Sequence, residues 1–206
     1  MRAIDRLERI LVDHYLASEG FLKKYFNAVR VGLFIDVGAN VGEWSRFMLK
    51  RGIRTVAFEP DTRTLVHLYE LQRRYANLLT VHPVALGSSN TIARFRPANQ
   101  TGLSKIVLGE VGIRVNLKTL DSFGLENVSL IKIDTEGYEL EVLRGAAETL
   151  KQSKPRLIIE VHEILGHRSY TDEIRDMSEL LAQYSYSYVA AYKRTRQPHL
   201  IFDSLR

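Results

Sequence analysis

Apolar and polar positions follow two different periods along this chain. Between residues 3 and 28, apolar side chains recur three or four positions apart with charges between them, which predicts an amphipathic helical extension over residues 1–30. From residue 32 onward, short apolar runs alternate with stretches of helical period. We predict strands at 32–37, 54–59, 78–82, 128–134 and 156–161, and helices at about 43–51, 62–75, 138–151 and 171–184.

This alternation predicts an α/β fold with a mainly parallel sheet, because strands separated by helices form βαβ units. The strands at 129–134 and 157–160 are almost continuously apolar, as expected when helices cover both faces of a sheet. Residues 91–96 and 113–118 instead alternate apolar with polar, as half-exposed strands do. We interpret the polar stretch between them as an insertion with a mobile loop over the site.

The tail of the chain predicts a final hairpin, from residues 187–192 and 199–202, that closes the edge of the sheet. No linker or internal repeat divides residues 31–206, so we predict one domain there after the extension at 1–30. The N-terminal helix is expected to pack against this domain, or alternatively to join two copies of the chain in a homodimer.

Composition narrows the class of protein. The 206 residues are 45% hydrophobic and 26% charged, which is ordinary for a globular domain, and they include no cysteine. Disulfides, thiolate metal sites and a cysteine nucleophile are therefore excluded. No run is apolar enough for a membrane span or a signal peptide, so we expect a cytoplasmic protein. The net charge of +5 is spread out, with no basic stripe interleaved with aromatics, so no nucleic-acid partner is expected.

The most informative motif is the run from Phe34 to Glu43. A buried strand carrying Asp36 leads into a turn with Gly38 and Gly42, and then into a helix start. About twenty residues later Glu59 ends the next strand, near the position at which nucleotide-binding folds present a carboxylate to a ribose. The run therefore predicts a ligand that contains a nucleoside.

The turn departs from the dinucleotide fingerprint at two positions. Asn40 occupies the second glycine position and Glu43 the third, where a carboxylate at a helix start opposes a phosphate. S-adenosylmethionine, which has no phosphate, fits better. We expect Asp36 to face its amino group or sulfonium region, the amides of residues 38–42 to bind its carboxylate, and Glu59 to accept hydrogen bonds from its ribose diol.

Several motifs together resemble the FkbM family of class I S-adenosylmethionine-dependent methyltransferases, over about residues 33–162. They are Phe34–Gly42, Ala57–Pro60, Val84–Gly87, Thr119–Asp121 and, most specifically, Ile131–Gly145. The resemblance implies a Rossmann-like fold with a seven-stranded sheet and an antiparallel C-terminal strand. It also implies O-methylation of a hydroxyl on a sugar, glycolipid or secondary metabolite.

By this resemblance the cofactor is held by residues of the first strands. They are Asp36, Gly38, Asn40, Gly42 and Glu59, with Ala85 and Leu86 flanking the adenine. Many methyltransferases place an acid near the adenine amino group, whereas this chain has the run His82–Ser88 there. Backbone atoms or Ser88 are the alternatives to that acid, so the adenine contact is the least determined part of the prediction.

The catalytic candidates follow the fourth and fifth predicted strands. Lys132 and Asp134 share one face of a strand, Glu136 begins the next turn, and His162 ends the following strand. A hydroxyl is a weak nucleophile, so the protein must supply a base, and Asp134, Glu136 and His162 are the candidates. Lys132 is either part of this machinery or the buried partner of Asp134 or Glu160.

A divalent cation is an alternative way to activate the hydroxyl. Asp134, Glu136, Glu160 and His162 together offer oxygen and imidazole ligands suited to Mg²⁺ or Mn²⁺. The chain has no closely spaced ligand motif such as H-x-x-x-H, so we expect no metal.

Other functions are less well supported by the sequence. A methyltransferase acting on RNA or protein is disfavoured by the absence of a basic patch and of an Asn/Asp-Pro-Pro-Tyr type motif. An NAD(P)-binding oxidoreductase is disfavoured by Asn40 and Glu43, and a binding module without activity is a further alternative. We expect the acceptor to be a small-molecule or glycan hydroxyl, selected by residues 97–112 and the two termini.

Overall fold

The computed structural model describes residues 32–98, 104–107, 111–162, 169–193 and 198–205. The predicted N-terminal helix over residues 1–30 lies outside the described residues. Among the described residues, no helix has both the length and the apolar character needed to cross a lipid bilayer.

Seven strands form the main sheet. They are β1 (Leu33–Val37), β2 (Arg54–Phe58), β3 (Leu79–His82), β8 (Val128–Ile133), β9 (Arg156–Glu160), β10 (Tyr186–Lys193) and β11 (Pro198–Ser204). Their order is β10-β11-β9-β8-β1-β2-β3, and only β11 runs antiparallel to its neighbours among these strands. This arrangement confirms the predicted fold, including the final hairpin at the edge of the sheet.

Helices cover both faces of this sheet. They are α1 (Glu43–Leu49), α2 (Thr62–Arg74), α3 (Glu139–Arg144), α4 (Ala147–Gln152) and α5 (Tyr170–Ala182). Successive residues of β1 point to opposite faces, so Phe34 packs with Met48 of α1, whereas Ile35 joins a cluster that contains Leu143 of α3 and Met177 of α5. Burial on both faces explains why these strands are almost continuously apolar.

The helix predicted over residues 138–151 is divided into α3 and α4. Between them lies Gly145, whose α-carbon packs so tightly that an added Cβ would lie 2.0 Å from the carbonyl oxygen of Gly87. This contact with a segment distant in sequence interrupts the helix, and the apolar period gives no sign of it.

Residues 85–118 form a second, smaller sheet. Its strands are β4 (Ala85–Leu86), β5 (Thr91–Arg96), β6 (Lys105–Val107) and β7 (Ile113–Lys118), in the order β4-β7-β5-β6. The half-exposed strands predicted at 91–96 and 113–118 are therefore present and pair with each other. Of the predicted mobile loop, residues 99–103 lie outside the described residues.

Candidate active site

A pocket opens at the carboxyl ends of β1, β2 and β8, where open parallel sheets bind ligands. Its walls come from the turn after β1, the end of β2, the start of the small sheet and the turn after β8. Phe95, Ser104, Lys105 and Ile106 of the small sheet also line it. The predicted insertion therefore lies beside the pocket, as expected.

The turn after β1 has the backbone conformation that its glycines suggest. Gly38, Asn40 and Gly42 have φ angles of 69°, 50° and 82°, and asparagine tolerates this left-handed region better than most residues. A Cβ on Gly38 would lie 1.8 Å from the carbonyl oxygen of Asp134. Gly38 is thus required by the close approach of β1 to the end of β8, a reason that the sequence does not reveal.

Four amides of this turn, those of residues 38–40 and 42, already have acceptors within the protein. Those of Gly38 and Ala39 donate to the carbonyl of Phe58, at 3.0 and 3.1 Å, and that of Gly42 donates to the carbonyl of Ala39 at 2.8 Å. The amide of Asn40 donates to Oε2 of Glu59 at 2.7 Å. The hydrogen bonds therefore lend no support to the expectation that these amides bind a cofactor carboxylate.

Glu59 is buried at the end of β2, with 6% of its surface exposed, and lines the pocket. Its Oε1 accepts a hydrogen bond from the amide of Asp61 at 2.8 Å, and Oε2 accepts the one from Asn40. Burial raises the pKa of Glu59 to about 7, against these hydrogen bonds and the charge of Lys132, while Asp61 adds a small increase. The carboxylate is fixed in place and retains lone pairs for a ligand.

Asn40 offers a second acceptor beside Glu59. Its Oδ1 is shielded from solvent and has no hydrogen-bond partner among the described residues, and the residue lines the same pocket. An acceptor that is buried without a partner is costly, so a ligand hydroxyl or amino group placed here would stabilise it.

Asp36 lies beneath the pocket rather than in its lining. The side chain is fully buried, and its Oδ2 accepts hydrogen bonds from the amide and hydroxyl of Ser45, at 3.0 and 2.6 Å. Its Oδ1 lies 3.5 Å from Nζ of Lys132. Gly42 is also outside the lining and packs against Leu68 of α2. These two predicted cofactor residues therefore shape the site from below.

The pocket also has an apolar wall. It is formed by Phe58, Val84, Ala85, Leu86 and Tyr138. Ala85 and Leu86, the predicted neighbours of adenine, form strand β4, and both are buried. The wall has the apolar character that a flat aromatic base requires.

Lys132 forms the predicted buried ion pair. Its Nζ lies 3.3 Å from Oδ2 of Asp134 and donates a hydrogen bond to the carbonyl of Gly38 at 2.8 Å. Burial lowers the pKa of Lys132, but the charges of Asp134 and Asp36 outweigh burial and raise the pKa above its ordinary value. The lysine is charged and holds the ends of β1 and β8 together.

Asp134 and Glu136 line the pocket from the turn after β8. Glu136 has a φ angle of 57°, an uncommon conformation for a residue with a long side chain. Burial raises the pKa of Glu136 to about 7; His162 opposes this increase, and the carboxylates of Asp134, Glu139 and Glu160 add to it. Both predicted carboxylates thus reach the pocket.

His162 lies behind these carboxylates, with 4% of its surface exposed. Its Nε2 is 3.5 Å from Oε1 of Glu136 and 3.7 Å from Oδ1 of Asp134, so the predicted convergence with the turn after β8 is present. Burial lowers the pKa of His162, but the hydrogen bond to Glu139 and the surrounding carboxylates outweigh it and raise the pKa to about 9. The ordinary pKa on which its candidacy as a base depends is therefore not retained.

Glu139 is a residue of this cluster that the sequence argument missed. Its Oε1 accepts hydrogen bonds from the amides of Thr135 and Gly137, at 2.9 and 3.1 Å, and lies 3.0 Å from Nδ1 of His162. Burial raises the pKa of Glu139, but these hydrogen bonds and the charge of His162 outweigh it and hold the pKa below its ordinary value. The signal available in the sequence is an acid near the start of the helix predicted over residues 138–151, within the Ile131–Gly145 motif.

A polar network beside the pocket was also missed. The guanidinium of Arg63 contacts Asp61 and donates to the carbonyl of Ala98 at 2.7 Å and to Oγ of Ser104 at 3.1 Å. The hydroxyl of Ser104 in turn donates to Oδ2 of Asp61 at 3.1 Å. The network ties both ends of segment 98–104 to the start of α2.

The small sheet brings cations together on one face, which we call the basic face. Arg94 lies directly opposite Arg114, and Arg96 directly opposite Lys105, in the register of β5 with β7 and β6. Lys118 lies four residues after Arg114 in β7, so its side chain points to the same face. The four strands contain no acidic residue. Alternating basic residues at 94 and 96 were visible in the sequence, but their pairing depends on the register.

A family model described as the methyltransferase FkbM domain matches residues 36–188. Among curated proteins, the chain is 30% identical over 132 residues to the hexuronic acid methyltransferase AglP of Haloferax volcanii. The matched residues cover 62% of this chain and 54% of AglP. The chain is also 26% identical over 185 residues to methyltransferase 1 of Beauveria bassiana, and the matched residues cover 74% of each of the two chains. The chain thus spans about half the length of AglP.

Solved structures show the same fold. A methyltransferase FkbM from Methylobacillus flagellatus superposes with a TM-score of 0.62 at 21% identity, covering 84% of this chain and 44% of that one. The 1,6-didemethyltoxoflavin-N1-methyltransferase of Burkholderia thailandensis, solved with 1,6-didemethyltoxoflavin and S-adenosylhomocysteine bound, superposes with a TM-score of 0.55 at 13% identity. The match covers 98% of this chain and 86% of that one.

Proposed function

The chain belongs to the FkbM family of methyltransferases, and on that premise we propose that it transfers the methyl group of S-adenosylmethionine to a hydroxyl of a saccharide or related metabolite. The observation that carries the proposal is that the buried carboxylate of Glu59 and the half-buried carboxyls of Asp134 and Glu136 line one pocket. The carboxylate of Glu59 suits the hydroxyls of a ribose, and the carboxyls of Asp134 and Glu136 suit an acceptor hydroxyl that must lose its proton.

The residues present fit this cofactor. Glu59 and the unpartnered Oδ1 of Asn40 offer acceptors for the ribose hydroxyls, and Ala85 and Leu86 offer an apolar surface for the adenine. When bound, the cofactor supplies an electrophilic methyl group on a cationic sulfonium. The chain must then orient the acceptor hydroxyl and take up its proton, and we assign that role to the carboxylates that line the pocket, Asp134 and Glu136.

The cofactor is tested by calorimetry with S-adenosylmethionine, S-adenosylhomocysteine and NAD⁺. We expect the two adenosyl ligands to bind and NAD⁺ to bind more weakly. Tighter binding of NAD⁺ would contradict the proposal, because a dinucleotide would then fit the turn better than a ligand without phosphate.

The affinity for S-adenosylmethionine is expected to depend on the charge of Glu59. The ionised carboxylate accepts hydrogen bonds from the ribose, and its pKa is about 7, so the apparent affinity should fall about tenfold from pH 8 to pH 6. The Glu59→Ala variant should bind at least about tenfold more weakly at pH 8 and should lose this part of the pH dependence. Calorimetry at several pH values measures both.

The amino group of the cofactor also titrates near this range, at a pKa of roughly 7.7–8.0 for an α-amino group, so the comparison with Glu59→Ala is the decisive one. Glu70→Ala, on the exposed side of α2, is the control and should behave as wild type. Parallel pH profiles for wild type and Glu59→Ala would refute the ribose role.

The basic face favours an anionic acceptor. Like charges directly opposite each other on neighbouring strands are destabilising, yet Arg94 faces Arg114 and Arg96 faces Lys105. An anionic ligand would offset this repulsion. Phe95 and Ile106, on the opposite face of the small sheet, line the pocket together with Lys105, so the basic face meets the pocket through Lys105 alone among the described residues. Together with the similarity to a hexuronic acid methyltransferase, this supports a saccharide that carries carboxylates.

We expect methyl transfer to uronic-acid oligosaccharides to exceed transfer to neutral ones. Charge reversal at Arg96 and Arg114 together (Arg96→Glu, Arg114→Glu) should raise KM at least about tenfold with little change in kcat, since these side chains attract the acceptor without touching the reacting atoms. Arg73→Glu, an exposed position on α2, is the matched control. Competition by RNA but not by oligosaccharides would assign the basic face to nucleic acid instead.

A further inference from the structure

One polar atom from each of Asp134, Glu160 and His162 lies in a common cluster beside the pocket. Nε2 of His162 lies 3.7 Å from Oδ1 of Asp134 and 3.9 Å from Oε1 of Glu160, and the ligating atoms of the three residues all lie within 4.8 Å of one another. Asp134 follows β8 and Glu160 ends β9, two adjacent parallel strands whose carboxyl ends meet at one edge. We name this group the three-residue cluster.

The second polar atom of each of these side chains contacts a residue outside the cluster. Oδ2 of Asp134 pairs with Nζ of Lys132 at 3.3 Å, and Oε2 of Glu160 pairs with Nε2 of His199 at 3.0 Å. Nδ1 of His162 contacts Glu139 at 3.0 Å. Each side chain of the cluster is therefore held by a residue outside the cluster, while Oδ1 of Asp134 and Oε1 of Glu160 lie 3.7 and 3.9 Å from Nε2 of His162.

Nε2 of His162 is the atom that most needs a partner. It is shielded from solvent in a side chain that is 4% exposed, and within the described part of the chain it has no hydrogen-bond partner. With Nδ1 donating to Glu139, a neutral ring presents its lone pair at Nε2. This is the arrangement of metal-binding histidines, whose second nitrogen donates to a carboxylate.

We propose that Asp134, Glu160 and His162 bind a divalent cation. Bonds of about 2.1 Å place neighbouring ligand atoms about 3 Å apart, so the separations of 3.7 and 3.9 Å from Nε2 must contract by roughly 0.7–0.9 Å when the ion binds. Carboxylates with one imidazole suit Mn²⁺, and also Mg²⁺ or Zn²⁺. Oε1 of Glu136, 3.5 Å from Nε2 of His162, is placed to be a fourth ligand.

The site lies where a cation can act on the acceptor. Asp134 and Glu136 line the pocket, so coordination positions on that side are open to a hydroxyl. As a Lewis acid, the cation would lower the pKa of a bound hydroxyl, and binding releases any second proton on His162. This catalytic role depends on the proposed methyl transfer, whereas cation binding itself does not. The sequence predicts no metal because it has no closely spaced motif such as H-x-x-x-H, and Asp134 follows a different strand from Glu160 and His162.

The experiment titrates the chelator-treated full chain with Mn²⁺, following the free ion by electron paramagnetic resonance. We expect one saturable Mn²⁺ per chain. His162→Ala should weaken binding at least about tenfold, and Glu139→Gln should weaken it about 10–100-fold by releasing the imidazole ring. His67→Ala, at an exposed position of α2, is the matched histidine control and should bind as wild type.

Asp134→Asn provides a variant at a less buried position, with its side chain 26% exposed, and thermal unfolding of each variant shows that it is folded. Absence of saturable Mn²⁺ binding by wild type would overturn the proposal, as would wild-type affinity in both folded His162→Ala and Asp134→Asn. Calorimetry with S-adenosylmethionine on the same samples separates the two ideas, because failure of the cofactor to bind would contradict the methyl transfer and leave the Mn²⁺ result unchanged.

Discussion

Replacing Gly38 by alanine should destabilise the fold by about 2–5 kcal/mol, from the combined costs of a left-handed backbone and of overpacking. The added methyl group would lie 1.8 Å from the carbonyl oxygen of Asp134, and it would do so at a φ angle of 69°. Backbone atoms cannot rotate away as a side chain can. Relief requires β1 and the turn after β8 to separate, which also displaces Asp134 from the pocket. Urea denaturation measures the loss of stability.

Substitutions at two other glycines separate the cost of the left-handed backbone from the cost of the steric contact. Gly52 has a φ angle of 73° with nothing within 4 Å of an added Cβ, so Gly52→Ala should show the backbone strain alone, about 1–2 kcal/mol. Gly145 has a φ angle of −82° with an added Cβ 2.0 Å from the carbonyl oxygen of Gly87, so Gly145→Ala should show the steric contact alone. If Gly38→Ala costs no more than Gly52→Ala, the approach of β1 to Asp134 is not rigid.

The fold was predictable because its signals are local. Each strand of the main sheet is almost continuously apolar, and each helix shows its own period, so the order of elements follows from short windows of sequence. The division of α3 from α4 was not predictable, since it depends on Gly145 meeting Gly87 across the fold. Only a contact between distant segments distinguishes this glycine from one that a helix tolerates.

Several residues of the candidate site were predictable, but their contacts with one another were not. Glu59, Asp134 and Glu136 line one pocket, as expected of acids at or just after the ends of parallel strands. Asp36 was expected to face the cofactor, but it bonds to Ser45 instead, because the helix after the turn folds back over it. The geometry of a turn decides which side chain reaches a ligand, and spacing alone does not.

The charge of His162 was beyond sequence reasoning for a similar reason. Its pKa depends on Glu139, which approaches Nδ1 from the start of α3, and on carboxylates that reach it from β8 and β9. The same holds for the basic face, where Arg94 meets Arg114 only through the register of β5 with β7. Electrostatic properties of this kind arise from several elements at once.

Replacing Asp134 by asparagine should lower kcat about 10²–10⁴-fold, the range expected when a group that accepts the proton of a nucleophile is removed. Asp134 lines the pocket, and the change preserves its size and an oxygen for Lys132. The affinity for S-adenosylmethionine should stay within about threefold of wild type, since the predicted ribose contacts belong to Glu59. Turnover is measured with labelled S-adenosylmethionine and the best acceptor from the oligosaccharide panel.

Glu141→Gln is the control, because this carboxylate lies on the adjacent helix α3, pairs with Arg144 and is absent from the pocket lining of the described residues. Its kcat should remain near that of wild type. A decrease in Asp134→Asn that saturating Mn²⁺ restores would assign the role of Asp134 to cation binding, whereas a decrease that Mn²⁺ leaves unchanged would assign it to proton transfer. Wild-type kcat in Asp134→Asn would exclude both roles and would leave Glu136 as the carboxylate that acts on the acceptor.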